Sequence, residues 1–248
     1  MIPAFFLLVL ALSIPFWILG AATGIQLLPG LPIGALMILA PAGAALILVY
    51  RAGGSPAAVA LLQRAVDYDR IPSITWVAIT VLLMPAMMLL AYTGLRLAGR
   101  PVAAPPVAPL VSFVMLAAYV LAGMSEELGW SGYAIDPLQQ RWGALGAGVI
   151  LGLAWAIWHL VPLLQARREP AWIAWWVVFT VALRVVMTWL YNHTGKSVGA
   201  VALCHGLENF CSYVFPLTGV TYDPRYTAPI AVALATIVTL VPKPRANA

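Results

Sequence analysis

The chain has 248 residues, of which 63% are hydrophobic and 8% charged, with a net charge of +5. Soluble domains carry roughly 25% charged residues, so water is excluded as the solvent for most of this surface. The lysines and arginines stand singly or in pairs, which fits membrane-flanking charges and excludes a nucleic-acid-binding patch. A spanning helix needs about 20 mostly apolar residues. Such windows predict eight transmembrane helices, at 4–22, 31–50, 74–94, 107–125, 143–163, 171–191, 197–216 and 227–241. No segment shows the apolar/polar alternation of a barrel strand. The predicted fold is all-α and polytopic, with about eight transmembrane helices enclosing a polar cavity.

Residues 1–106 would hold the first three spans. The N-terminus lacks the basic region of a signal peptide, so the first span is expected to stay. Arg51–Ser73 is the one long polar-leaning connection, and its ALLQRAV core reads as an interfacial amphipathic helix. The proline-rich stretch Arg100–Pro109 reads as a stiff linker between two halves. Residues 107–216 form the expected catalytic core, and residues 217–248 a last span and tail. Lysine and arginine placement puts both termini on the cytoplasmic side. The Ala-, Gly-, Pro- and Arg-rich usage points to a bacterial cell membrane. Cys204 and Cys211 lie two helical turns apart, too far for a disulfide within one helix.

Ionisable side chains at membrane depth are expensive and mark function. Here they are Glu126 and Glu127 at the end of the fourth span, His159 in the fifth and Arg184 in the sixth. His205, Glu208 and Asn209 follow in the seventh. Adjacent glutamates on a helix point roughly 100° apart, so one can do chemistry while the other finds a structural partner. MSEELGW also reads as a capping serine followed by acids at a helix start. His159 sits among tryptophans in LAWAIWHLVP, where packing and chemistry are both open readings. His205 and Asn209, four apart in CHGLENF, share a helix face. That face can glue helices together or stabilise an oxyanion. HGLEN is one residue short of a reversed zincin motif. His159, His205 and Glu126 could therefore supply three zinc ligands as an alternative to a cofactor-free site.

EELGWSGY, then WAIWH, then RVVMTWLYNHTGKSVGAVALCHGLEN resembles the CAAX-processing and bacteriocin-processing (CPBP, or Abi) family of intramembrane glutamic endopeptidases, over about residues 110–216. The resemblance implies that Glu126 activates water for attack on the scissile amide and that His159 works with it. It implies that His205 and Asn209 stabilise the oxyanion, with Glu127 in support, and that no cofactor is required. The family's first motif, Glu-Glu-x-x-x-Arg, has Ser131 in place of arginine here. An unpaired buried carboxylate is costly, so Arg184 or Arg141 would have to compensate, or Glu127 would be protonated or reach water. The implied function is hydrolysis of a peptide bond near the C-terminus of a membrane-associated protein or peptide, with a prenylated CAAX-type tail and a bacteriocin-like or other short membrane-associated peptide both open as substrates. The partners would be that substrate and the lipid bilayer. The alternative is a non-enzymatic immunity or binding protein, or a transporter, using the same polar cluster.

Overall fold

The computed structural model describes residues 2–28, 31–105, 108–219 and 221–240. Eight α-helices dominate it: α1 (Ile2–Thr23), α2 (Ala40–Gln63), α3 (Ile74–Leu97), α4 (Pro109–Gly129), α5 (Ile135–Gln165), α6 (Pro170–His193), α7 (Val198–Val214) and α8 (Pro224–Leu240). Five continuous helical stretches are long and apolar enough to cross a membrane: 2–23, 33–66, 74–97, 109–165 and 170–193. The 57-residue stretch holds two predicted spans because the chain turns at Gly143, with φ 69° and ψ 175°, a conformation reserved for glycine. The seventh and eighth predicted spans coincide with α7 and α8, of 17 residues each. At 1.5 Å per residue such a helix covers about 25 Å, less than the ~30 Å of a hydrocarbon core. The protein is thus an all-helical, polytopic integral membrane protein.

Two segments depart from the predicted spans. The 31–50 window does not begin as α-helix: Leu31–Pro32 pairs with Gln26–Leu28 in a small antiparallel ribbon, and a 3-10 helix covers Ile33–Leu39. Pro32 lacks an N–H to donate, and Pro41 in the first turn of α2 marks where a helix can start. After Tyr50 the helix breaks at Gly53 and Gly54, the latter with φ 65° and ψ −159°. The piece beyond the break carries the ALLQ of the predicted amphipathic segment, ending in 3-10 turns at Arg64–Val66 and Tyr68–Arg70.

These turns strap three helices together. Arg64 donates to the Gly132 carbonyl (3.0 Å), the Tyr191 hydroxyl (2.9 Å) and the Lys196 carbonyl (2.8 Å). Asp67 accepts from the Ser197 hydroxyl and the Gly199 N–H, both at 2.9 Å. Ser197 in turn accepts from Ala200 N–H (3.0 Å) and caps α7.

Inside the bundle, small residues let helix backbones meet. A Cβ at Gly206 of α7 would stand 2.6 Å from Val120 Cα, and one at Gly123 of α4 would stand 2.7 Å from the Ala202 carbonyl oxygen. Gly148 and Gly152 of α5 meet Val185 and Val181 of α6 in the same way, at 2.9 and 2.7 Å. Glu126, Glu127, His159, His205 and Asn209 lie within about two helical turns of these glycines along their own helices, so the close approaches help set where those groups meet.

Gly206→Ala is therefore expected to lower the unfolding free energy in detergent by about 1–3 kcal/mol, the cost of overpacking. Gly94→Ala, where an added Cβ meets nothing within 4 Å, is expected to hold or raise stability. Chemical denaturation of the two variants checks the contrast.

Candidate active site

The two glutamates do not sit at a helix start. α4 runs on through a π-helical turn, Trp130–Ala134, into α5, and Ser125 donates to the Ile38 carbonyl at 2.9 Å. The capping reading of MSEELGW is therefore corrected, because its backbone N–H groups are already spent within a continuing helix. π-turns of this kind recur at functional sites. Here the turn brings Ser131 and Trp130 back over the two carboxylates, each four residues on.

Glu127 is fully buried and fully engaged. Arg184 of α6 grips it with two parallel bonds, Nη1 to Oε2 at 2.8 Å and Nη2 to Oε1 at 2.5 Å. His205 Nδ1 of α7 donates to Oε1 at 2.9 Å, and the Ser131 hydroxyl donates to Oε2. Forked pairing of this type is the strongest an interior carboxylate can find. It answers the Ser131 departure: the compensating cation comes from α6, and the serine supplies a further donor. Arg141, the other candidate, is exposed, with its guanidinium 5.1 Å from the Trp142 ring centre.

Glu126 has a different environment. It is 3% exposed, and both of its hydrogen bonds fall on Oε2, from Trp155 Nε1 at 2.7 Å and from Trp130 Nε1 at 3.4 Å. Among the described residues no hydrogen bond involves Oε1. His159 Nδ1 meets the Trp155 carbonyl at 2.9 Å. A carbonyl can only accept, so the proton sits on Nδ1 and the Nε2 lone pair is left unengaged. The His159 ring lies among Trp155, Trp158 and Trp176, with centres 5.3, 4.6 and 5.2 Å away. Packing and proximity to the acids thus hold together, since Glu126 lies within electrostatic reach of both His159 and His205. The His205 ring meets Trp155 edge-on at 4.9 Å.

Of the five residues to which the resemblance gives catalytic roles, Glu126, Glu127, His159 and His205 come together in one cluster with Trp155 and Arg184. Asn209 lies one turn beyond His205 on α7, half-buried, in no side-chain hydrogen bond among the described residues. Glu208 turns to Ser212 at 2.8 Å instead. The indole donors Trp155 and Trp130 were not singled out as functional. Their i,i+4 spacing from His159 and Glu126 is the signal that could have shown them.

Glu127 and His205 are exposed by 1% or less and Glu126 by 3%, whereas His159 and Asn209 are half-buried. Two surface grooves of about 600 and 520 Å³, one between α1 and the start of α5 and one among α5, α6 and α8, are lined by none of these residues. Among the described residues, no group of three or more His, Cys, Asp or Glu side chains is placed to hold a metal ion.

Ser131→Ala is expected to reduce stability by about 1.5–3 kcal/mol, as loss of a buried hydrogen bond to a charged group. Arg141→Ala, on the surface, is expected to stay within about 0.5 kcal/mol of the parent. Equal effects in unfolding titrations would contradict a stabilising role for the buried Ser131–Glu127 hydrogen bond.

Residues 108–211 match the family model for type II CAAX prenyl endopeptidases, Rce1-like, a range that contains all five site residues. The chain is also 28% identical over 108 residues to the CAAX prenyl protease 2 of Methanococcus maripaludis. That match covers 40% of this chain and 40% of the relative, so it spans well under half of either protein. The region from residue 108 to residue 211, with its two glutamates, two histidines and asparagine, is thus similar to the type II CAAX prenyl endopeptidases, in support of the CAAX-processing and bacteriocin-processing (CPBP, or Abi) resemblance.

Proposed function

We propose that this protein is an intramembrane endopeptidase that cleaves a peptide bond near the C-terminus of a prenylated, CAAX-type protein or peptide. The reading draws its substrate class from the name of the curated relative. It draws its chemistry from one observation: of the adjacent pair Glu126 and Glu127, only Glu126 keeps an oxygen that no described hydrogen bond engages.

In this mechanism Glu126 Oε1 accepts a proton from water as the water oxygen attacks the scissile carbonyl carbon. His159 Nε2, with its lone pair available, orients that water. The resulting oxyanion accepts hydrogen bonds from the Asn209 carboxamide and from His205 Nε2. Since His205 Nδ1 already donates to Glu127, His205 donates from Nε2 when it carries both protons. Collapse of the intermediate breaks the C–N bond, and the proton held by Glu126 passes to the leaving nitrogen. The acid, the base and the oxyanion donors all come from the chain, so the reaction requires no metal.

The proposed orientation has both termini cytoplasmic. It is supported by Arg64, whose bonds to Gly132 and Lys196 gather three of the predicted inner connections at one end of the bundle.

Purified protein in detergent is expected to cleave a farnesylated CAAX peptide faster than its unprenylated twin. Glu126→Gln is expected to lower turnover roughly 10²–10⁴-fold, the usual worth of a general base. Asn209→Ala is expected to lower it roughly 10²–10³-fold, as for an oxyanion donor. Full cleavage by Glu126→Gln would overturn the mechanism. Peptide binding without turnover by the parent protein would favour the non-enzymatic reading.

A further inference from the structure

Trp155 touches more of the charged cluster than any residue assigned a chemical role. Its indole N–H donates to Glu126 Oε2 at 2.7 Å. Its ring carries the Arg184 guanidinium at 4.5 Å from the centre. Its edges meet His205 at 4.9 Å and His159 at 5.3 Å, and its carbonyl accepts from His159 Nδ1 at 2.9 Å. The side chain is 4% exposed.

We infer that Trp155 is a positioning residue for the hydrolysis, setting the direction in which Glu126 presents its reactive oxygen. The inference rests on Glu126 being the base of the reaction proposed above. A carboxylate can rotate about its last bond, and either oxygen could then take the proton. Holding Oε2 with a donor on a rigid ring turns Oε1 away from the indole and stops that rotation. The indole nitrogen suits the task because it donates and cannot accept, so it never competes for the water's proton. Among the described residues no cation is bonded to Glu126, whose donors are both indole N–H groups, and in a dry interior an ionised carboxylate without donors is strongly disfavoured. Trp130 also reaches Oε2, but at 3.4 Å the bond is long.

Packing alone does not require the nitrogen. Trp158, another neighbour of His159, spends its N–H on Ser13 Oγ at 2.7 Å, away from the acids. The indole of Trp155 also ties the two halves of the site. The face that stacks on Arg184 is fixed by the Glu127 pair, so the orientation of Glu126 is referred to the same frame that holds His205.

The test separates the ring from its N–H. Trp155→Phe keeps an aromatic face for Arg184 and the imidazoles and removes the donor. Incorporating benzothienylalanine at position 155 keeps the full bicyclic shape and replaces only the N–H with sulfur. Both variants are expected to lose kcat about 10- to 100-fold, the worth of one hydrogen bond to a charged group. KM for the farnesylated peptide is expected to stay within about twofold, because the lost bond is to the base and not to substrate. Undiminished kcat in the benzothienylalanine protein overturns the inference, as does a change confined to KM. Glu126→Gln, measured alongside, keeps the two claims apart. If it is inactive while both Trp155 variants turn over fully, Trp155 only packs. If it is active, the base itself has been misassigned.

Discussion

The buried pair of Glu127 and Arg184 is the interaction around which the rest of this structure is arranged. It joins α4 to α6 through two parallel bonds, and His205 adds α7 to the same carboxylate. In a low-dielectric interior, such a pair offers little net gain over apolar packing of similar volume, but removing either partner leaves an uncompensated charge costing about 3–5 kcal/mol. Its contribution is therefore geometric. Helices that could slide or rotate in a lipid environment without large loss are held in one register by a charge that tolerates no other.

That register has two supports away from the pair. Glycines at 123, 148, 152 and 206 admit neighbouring backbones at distances where a Cβ would clash. At the bundle end, Arg64 and Asp67 tie the π-turn, the end of α6 and the start of α7 to one short loop. Within this frame the neighbouring glutamates divide their work. Glu127 is saturated with donors and holds the helices. Glu126, roughly 100° around the helix, meets only indole N–H groups and keeps one oxygen for chemistry. The proximity of His159 and His205 to Glu126 follows from the same packing.

The helical, membrane-spanning class was legible because hydropathy is a property of whole windows, and the lone ionisable residues stood out against that background. The pairing of Arg184 with Glu127 could be named only as one of two options. Deciding between Arg184 and Arg141 depends on which helix faces which, and spacing along a single chain does not encode that. The ribbon pairing residues 26–28 with 31–32 was missed for a related reason: proline permits such a departure from helix without requiring it. The capping reading of Ser125 failed because local chemistry at a helix start looks the same as in a helix that continues through a π-turn. Trp155 passed as packing because tryptophan is apolar in any window. Its donor matters only once a carboxylate 29 residues away is brought against it.

A double-mutant cycle on Glu127 and Arg184 tests this account most directly, using Glu127→Leu, Arg184→Leu and the double variant, with unfolding free energies measured in lipid bicelles. Each single variant is expected to lose about 3–5 kcal/mol, and the double variant to lose far less than the sum, because removing both charges strands neither. Strictly additive losses would show that the two side chains do not depend on one another, and would contradict the claim that their pairing sets the frame of the site.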